Sequence, residues 1–182
     1  MSSKLSLKQA VFVVGVMIMI LFLVTTLSGN SKRIISGPPL NLKIPKIAVD
    51  TLIEQVGLTR EGDVDSPDGP TNTAWYNLGP RPGEIGNSVI VGHFGWKNNT
   101  PAVFDNLSKL EKGDKIYVED DQGIITTFIV NEIKTYDSKD NASDVFNSND
   151  NKSHLNLITC KGVWNEKNKG YSERLVVFST KE

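Results

Sequence analysis

Short runs of apolar and alternating residues, separated by turn-forming residues, fill the chain from residue 41 onward. Alternation places every second side chain on one face of a β-strand, and continuous β-branched runs are typical of buried strands. About eight short strands with turn signals between them predict an all-β sandwich or barrel. The clearest predicted strands are 42–49, 52–56, 88–93, 115–119, 124–135, 154–160 and 175–180.

Helix is scarce in this pattern. Residues 103–110 (VFDNLSKL) predict about two helical turns before Gly113, and residues 144–147 predict a single turn. The sequence Asp-Gln-Gly at 121–123 favours a tight turn between two strands. The Asn/Asp/Ser/Lys-rich stretch 137–153 is interpreted as a solvated loop.

The N-terminal segment differs from the rest in hydropathy. Residues 10–27 (AVFVVGVMIMILFLVTTL) carry no charge and, as a helix, would span about 27 Å, close to the thickness of a bilayer core. A cleaved secretory signal is the alternative, but its apolar region usually has about 7–15 residues and a small-residue cleavage site. Because this run is longer and ends in Thr-Leu-Ser, we favour an uncleaved membrane anchor.

This anchor divides the chain into four parts. We predict a short tail at 1–9, a single transmembrane helix at 10–28, a Gly- and Pro-containing linker at 29–40 and one domain at 41–182. The basic residues that flank the apolar run are nearly balanced between its two sides, so charge alone leaves the orientation open.

Composition excludes several classes of protein. The net charge is −1, with 20 basic and 21 acidic residues, which gives no basic patch for nucleic acid. The single cysteine rules out a disulfide within the chain and is a buried small hydrophobe, an intermolecular link or a nucleophile. Two histidines and one cysteine form a poor ligand set, so we expect no metal and no cofactor.

Three chemically active residues lie at predicted strand ends, where a scaffold holds side chains within reach of a substrate. His93 ends one strand, Cys160 ends a second and Arg174 opens a third. A neighbouring imidazolium and guanidinium favour the reactive thiolate, the imidazole can protonate a leaving amine, and a fixed cation can stabilise an oxyanion.

The residue types alone also allow a hydrogen-bonded structural histidine and a surface arginine paired with Glu173 or with an acidic residue distant in sequence. The other histidine, His154, starts the cysteine strand about 20 Å from Cys160 and cannot be its partner while that strand is extended. This leaves His93 as the candidate imidazole.

The order and context of these three residues resemble the sortase family. LITC at 157–160 is similar to its cysteine strand, VIVGH at 89–93 to its histidine strand, and YSERLVV at 171–177 to its arginine strand. LKIPKIAV at 42–49 is similar to its first strand. AWY at 74–76 with PGEIGN at 82–87 looks more like class E and F sortases than class A or B.

The resemblance implies a closed eight-stranded β-barrel with one or two short helices and an uncleaved N-terminal anchor. It also implies a cysteine transpeptidase on the outer face of a Gram-positive-type cell membrane. The Cys160 thiolate would attack the Thr–Gly bond of an LPXTG-like sorting motif, with His93 as general acid and base and Arg174 as the oxyanion-side cation. An amine from a peptidoglycan precursor or a pilin lysine would then resolve the thioacyl intermediate.

Two other functions stay open on the sequence. A cysteine hydrolase would share the thioacyl intermediate but release the product to water. An anchored, non-catalytic β-domain that binds the cell wall would leave Cys160 unreactive. Trp75, Trp96 and Trp164 are candidates for the substrate groove, although tryptophans at such places more often pack than recognise a substrate.

Overall fold

The apolar runs of the sequence form eight strands in the computed structural model, which describes residues 37–167 and 170–182. These residues lie within the compact unit Ile35–Glu182. They also include one short α-helix, α1 (Ser143–Phe146), and three short 3₁₀ helices. The strands are β1 Pro39–Ile44, β2 Val49–Val56, β3 Thr73–Tyr76, β4 Gly86–Gly92, β5 Lys115–Asp120, β6 Ile125–Asp137, β7 Ser153–Asn165 and β8 Gly170–Lys181.

The strands close into a barrel in the order β1-β2-β3-β4-β7-β8-β6-β5. Strand β3 runs parallel to β2, and β7 runs parallel to β4, whereas the other neighbours are antiparallel. The prediction of an all-β, closed eight-stranded barrel with few helices is therefore confirmed for the described residues. The parallel pairing of β4 with β7 brings side by side two segments that are distant in sequence.

Alternating side chains fill the barrel. On β7, Leu155 and Leu157 are completely buried in the main core, and Ile116 and Phe128 of β5 and β6 are equally buried. Burying a side chain of this size contributes about 1.5–3 kcal/mol each, so the interior dominates stability. A second cluster lies on the outer face of the barrel, beneath α1, and contains Val89, Val145 and Val176.

The first predicted strand, 42–49, is two strands and a tight turn. β1 ends at Ile44, a 3₁₀ turn covers Pro45–Ile47, and β2 begins at Val49. Proline suits the first position of such a turn, and Ala48 adopts the left-handed conformation (φ 55°) that reverses the chain. The alternating pattern was preserved on both sides of the turn and therefore concealed it.

Other parts of the structure also differ from the predicted elements. The helix predicted at 103–110 is a series of turns with a three-residue 3₁₀ helix, Leu107–Lys109, because its backbone hydrogen bonds join residues that are three positions apart. The four-residue strand β3 was not predicted. β1 starts at Pro39, two residues before the predicted domain boundary, and Gly37 N donates a hydrogen bond to Asp120.

The predicted tail 1–9, the predicted anchor 10–28 and most of the predicted linker 29–40 lie outside the described residues. Within 37–167 and 170–182, no helix has the length and apolar character needed to cross a bilayer. The single turn predicted at 144–147 is confirmed as α1 (Ser143–Phe146), within the loop that joins β6 to β7.

Candidate active site

His93 directly follows β4, and its backbone is held tightly. Its carbonyl accepts a hydrogen bond from Phe104 N at 3.0 Å. The preceding residue, Gly92, lies against the Phe104 ring so closely that an added Cβ would come within 2.5 Å of it. Glycine is therefore required at this place by close packing, which explains the Gly-His pair in physical terms.

The His93 side chain is fixed by a second contact. Nε2 lies 3.0 Å from the carbonyl oxygen of Pro67, in the loop between β2 and β3. A carbonyl oxygen can only accept, so Nε2 must carry a hydrogen and donate it. The neutral ring then has its lone pair on Nδ1, which is the nitrogen left for proton exchange. The ring also packs edge-on against Trp96, with centroids 4.6 Å apart.

Cys160 lies beside both of the other predicted residues. Its Cα is the register partner of Arg174 on β8. On its other side, β7 runs parallel to β4 as far as the pair Ile158 and Val91, and Thr159 Oγ1 donates a 2.7 Å hydrogen bond to Gly92 O. Continuing this register places His93 next to Cys160, so the three predicted residues lie on neighbouring segments.

Cys160 and Arg174 are not at strand ends, contrary to the prediction. β7 continues to Asn165 and β8 already begins at Gly170, with a register shift in the pairing after Lys161. Both residues therefore lie inside a long antiparallel hairpin. This hairpin is a more rigid support than a loop because ladder hydrogen bonds continue on both sides of the site.

Arg174 is oriented by its own strand. Nη1 donates to the carbonyl oxygens of Tyr171 at 3.1 Å and Glu173 at 3.0 Å. The ion pairs found among the described residues do not include one between Arg174 and the Glu173 carboxylate. With Nη1 bound to the backbone, Nη2 and Nε remain as donors for an acceptor in the site.

Two opposing effects act on the thiol. Burial raises the pKa of Cys160 above its ordinary value, and the charge of Arg174 offsets part of this increase. Desolvation disfavours the charged form of any acid, whereas a nearby cation favours it. Because burial is the larger effect, the resting form of Cys160 at neutral pH is mainly the thiol, and its proton must leave before the sulfur can attack.

Two cavities meet at these residues, and both are lined by His93, Cys160 and Arg174. The first, here called the loop groove, has a volume of about 470 Å³ and an apolar floor on the outer face of the barrel. Its floor and walls include Val91, Ile158, Val176, Ala142, Val145 and Phe146. The second, the aromatic groove, has a volume of about 790 Å³ and is lined by Phe94, Trp96, Trp164 and Tyr171.

Two buried amides that sequence reasoning did not select hold the wall of the loop groove. Asn156 Nδ2 donates to the carbonyl of Val145 at 2.7 Å, and Asn87 Nδ2 donates to the carbonyl of Asp144 at 2.9 Å. Each asparagine interrupts an apolar strand, and that interruption was the available signal. A buried amide nitrogen at such a position needs an acceptor, because an unpaired buried donor is costly.

The other residues considered from the sequence, three tryptophans and the second histidine, lie in different parts of the structure. Trp75 belongs to the main core, where its Nε1 donates to Pro80 O, while Trp96 and Trp164 line the aromatic groove. His154 is bonded to Asp150 and Thr180, six positions along β7 from Cys160. Among residues 37–167 and 170–182, no group of three or more His, Cys, Asp or Glu side chains is arranged to hold a metal ion.

A barrel that brings a thiol, an imidazole and a guanidinium together between two grooves has the composition of a cysteine acyl-transfer enzyme. The sortase domain model matches residues 42–182, which is more than half of the chain. The chain therefore belongs to the sortase family of cysteine transpeptidases.

Solved structures support the same assignment. Sortase C-1 from Actinomyces oris is 26% identical (TM-score 0.62), with 78% of this chain and 72% of that chain covered. The sortase D5 transpeptidase of Clostridium perfringens is 27% identical (TM-score 0.59; 80% and 79% covered). A lid mutant of sortase A from Corynebacterium diphtheriae is 25% identical (TM-score 0.62; 84% and 74% covered). No curated protein matches the sequence. The likeness to class E and F stays a prediction.

Proposed function

We propose that this sortase cleaves an LPXTG-like sorting motif between Thr and Gly and transfers the protein to a cell-wall amine. The observation that carries the proposal is the alignment of His93, Cys160 and Arg174 on neighbouring segments, at the point where two grooves meet. One groove suits the acyl donor, and the second leaves room for an acceptor, which a hydrolase would not need.

In the first half-reaction, Cys160 gives its proton to His93 Nδ1 and the sulfur attacks the threonine carbonyl carbon. Arg174 donates hydrogen bonds to the oxyanion through the nitrogens that its backbone contacts leave available. The C–N bond to glycine breaks, and the proton on His93 passes to the departing amine. Cys160 then carries a thioacyl group.

In the second half-reaction the same residues work in reverse. An acceptor amine attacks the thioacyl carbon and loses a proton to His93, the C–S bond breaks, and Cys160 recovers its proton. We assign the donor peptide to the loop groove because its floor of Val91, Ile158 and Val176 suits the leucine and proline of the motif. The acceptor then enters through the aromatic groove.

The test uses the full chain in detergent with an LPXTG peptide library, with and without added amine, and product masses as the readout. A thioacyl adduct at Cys160 that passes to the amine, and is absent from C160A, is the expected result. Hydrolysis that added amine does not divert would indicate a cysteine hydrolase. An intact library with Cys160 slow towards alkylating agents would indicate a non-catalytic wall-binding domain.

We further propose that residues 10–28 cross the cell membrane once, with the tail 1–9 in the cytoplasm and the catalytic domain outside. The length and uncharged character of the apolar run support this arrangement. Because the chain has one cysteine, a membrane-impermeant maleimide applied to intact cells should label Cys160 alone. Labelling only after lysis would place the domain on the other side.

A further inference from the structure

One peptide group in the loop between β2 and β3 is held at both of its ends. The carbonyl of Pro67 accepts a hydrogen bond from His93 Nε2 at 3.0 Å. The N–H of the same peptide group belongs to Asp68, and it donates to Glu54 Oε2 at 2.9 Å. The Glu54 carboxylate is thereby linked to the His93 ring through a single planar peptide unit.

We propose that Glu54 is a positioning residue for His93, acting through the Pro67–Asp68 peptide group. The inference rests on the proposed role of His93 as the general acid and base. Glu54 does not contact the reacting atoms. It fixes the direction in which the Pro67 carbonyl points, and the carbonyl fixes the hydrogen on Nε2 and the orientation of the ring.

The position of Glu54 makes this support rigid. Glu54 lies on β2 opposite Ala74 of β3, so its backbone is part of the barrel. Its second oxygen, Oε1, accepts a 2.7 Å hydrogen bond from Asn72 Nδ2. The carboxylate therefore joins both ends of the segment 68–72 to β2, which limits movement of this segment relative to the barrel.

Further contacts hold the same segment against the histidine strand. Pro67 is buried, and Pro70 O accepts a 2.8 Å hydrogen bond from Val103 N, one residue before the Phe104 N–H that binds the His93 carbonyl. Gly69 provides the left-handed turn (φ 73°) that lets the chain return to β3. The loop is thus a built support with His93 on one side and Glu54 on the other.

The electrostatics of the chain of bonds act in one direction. A hydrogen-bond acceptor at the N–H end of a peptide polarises it, and this makes its carbonyl a stronger acceptor at the other end. A stronger acceptor keeps the hydrogen on Nε2 and leaves Nδ1 for exchange with the thiol and the leaving amine. Hydrolases with a Ser-His-Asp triad orient their histidine with a direct carboxylate, and here a peptide group stands between the two.

A loop-stabilising role alone makes different predictions from a positioning role. If Glu54 only held the loop, its loss would lower stability and leave the histidine tautomer unchanged. If it positions His93, E54A should change both the tautomer of His93 and the pH dependence of the rate of Cys160 alkylation. E54Q retains an acceptor for Asp68 N and can exchange hydrogen bonds with the Asn72 amide, so it should rescue the variant.

The deciding measurement is ¹⁵N NMR of the histidine rings in the full chain in detergent, which needs no substrate. His154 is assigned by its disappearance in H154Q. We expect His93 to show the Nε2–H tautomer in the wild type, in E54Q and in E61A, a matched substitution of an exposed glutamate in the same loop. E54A should show a mixture of tautomers.

Kinetics provide the second readout. E54A should lower kcat for thioacyl formation about tenfold with little change in KM, since general acid–base catalysis is worth about 10²–10⁴-fold and the ring is misplaced, not removed. If E54A does not fold, E54D replaces it, because its shorter side chain cannot reach both Asp68 and Asn72.

Wild-type His93 in the Nδ1–H form, or E54A with a wild-type tautomer and kcat, would overturn the proposal. Absence of peptide cleavage by a wild type with the Nε2–H tautomer would instead refute the proposed function.

Discussion

The hydroxyl of Thr159 offers the sharpest test of how the barrel aligns its site. Thr159 is almost completely buried, and its Oγ1 donates to Gly92 O across the parallel pair of β4 and β7. These two residues immediately precede Cys160 and His93. The bond therefore ties the two segments together at the point where they deliver the thiol and the imidazole.

The size of the effect follows from the burial. Thr159→Val keeps the shape of the side chain but removes the donor and leaves the Gly92 carbonyl without it, which costs about 1–3 kcal/mol. With an m-value of about 1–3 kcal/mol/M, the urea midpoint should fall on the order of 1 M. Because a displacement of about 1 Å can cost about 100-fold in rate, we expect kcat to fall about tenfold or more.

A matched control separates alignment from stability. Ser179 Oγ donates a 2.6 Å hydrogen bond to Leu155 O, an equivalent buried bond between β8 and β7. Leu155 precedes Cys160 by five residues, about 16 Å along the strand. S179A should lose similar stability and keep kcat, measured well below the unfolding midpoint, whereas T159S should resemble the wild type. A T159V enzyme with reduced stability and wild-type kcat would refute the reasoning.

Three further predictions address the groove, the barrel and the thiol. N156A should raise KM for the peptide about tenfold with kcat nearly unchanged, because the amide holds the Val145 carbonyl in the groove wall; an unchanged KM would contradict this. D120A should lower the free energy of unfolding by about 3 kcal/mol in urea titrations and spare kcat, because its buried carboxylate accepts three backbone N–H bonds far from the site. The rate of Cys160 alkylation should rise with pH, and the midpoint should lie above that of an ordinary thiol because burial raises the pKa of Cys160. R174Q removes the cation that lowers this pKa, so it should move the midpoint to a higher pH. A shift of the midpoint to a lower pH would contradict the assigned causes.

The sequence was informative wherever a strand buries a continuous or alternating apolar run. The predicted strands 115–119 and 124–135 lie within a few residues of β5 and β6, because burial of alternate side chains imposes the pattern directly. β3 was missed because a four-residue strand is specified by its neighbours, β2 and β4, and not by its own composition.

The residue types at the site were predictable, but their arrangement was not. Motifs and chemistry were enough to select Cys160, His93 and Arg174. Their adjacency depends on the parallel pairing of β4 with β7, which no local sequence pattern encodes. Glu54 gave no signal, since a glutamate on a barrel strand is normally solvated. Its role becomes visible only when the loop 66–72 folds back and places a backbone carbonyl beside the histidine.

The contacts of Arg174 limit how it can act. Its Nη1 is bound to two carbonyls of its own strand, so a move of this nitrogen onto the Cys160 sulfur would break both bonds. The charge of Arg174 lowers the pKa of the resting Cys160 thiol, and this effect is weaker than the effect of burial, which raises it. In the proposed mechanism, the remaining N–H groups of Arg174 donate to the oxyanion, whose negative charge develops only during the reaction. A donor that is fixed in advance and engaged only when charge develops stabilises the transition state more than the ground state. The raised pKa of the thiol is consistent with the proposed mechanism, in which proton transfer to His93 activates the sulfur and Arg174 stabilises the oxyanion.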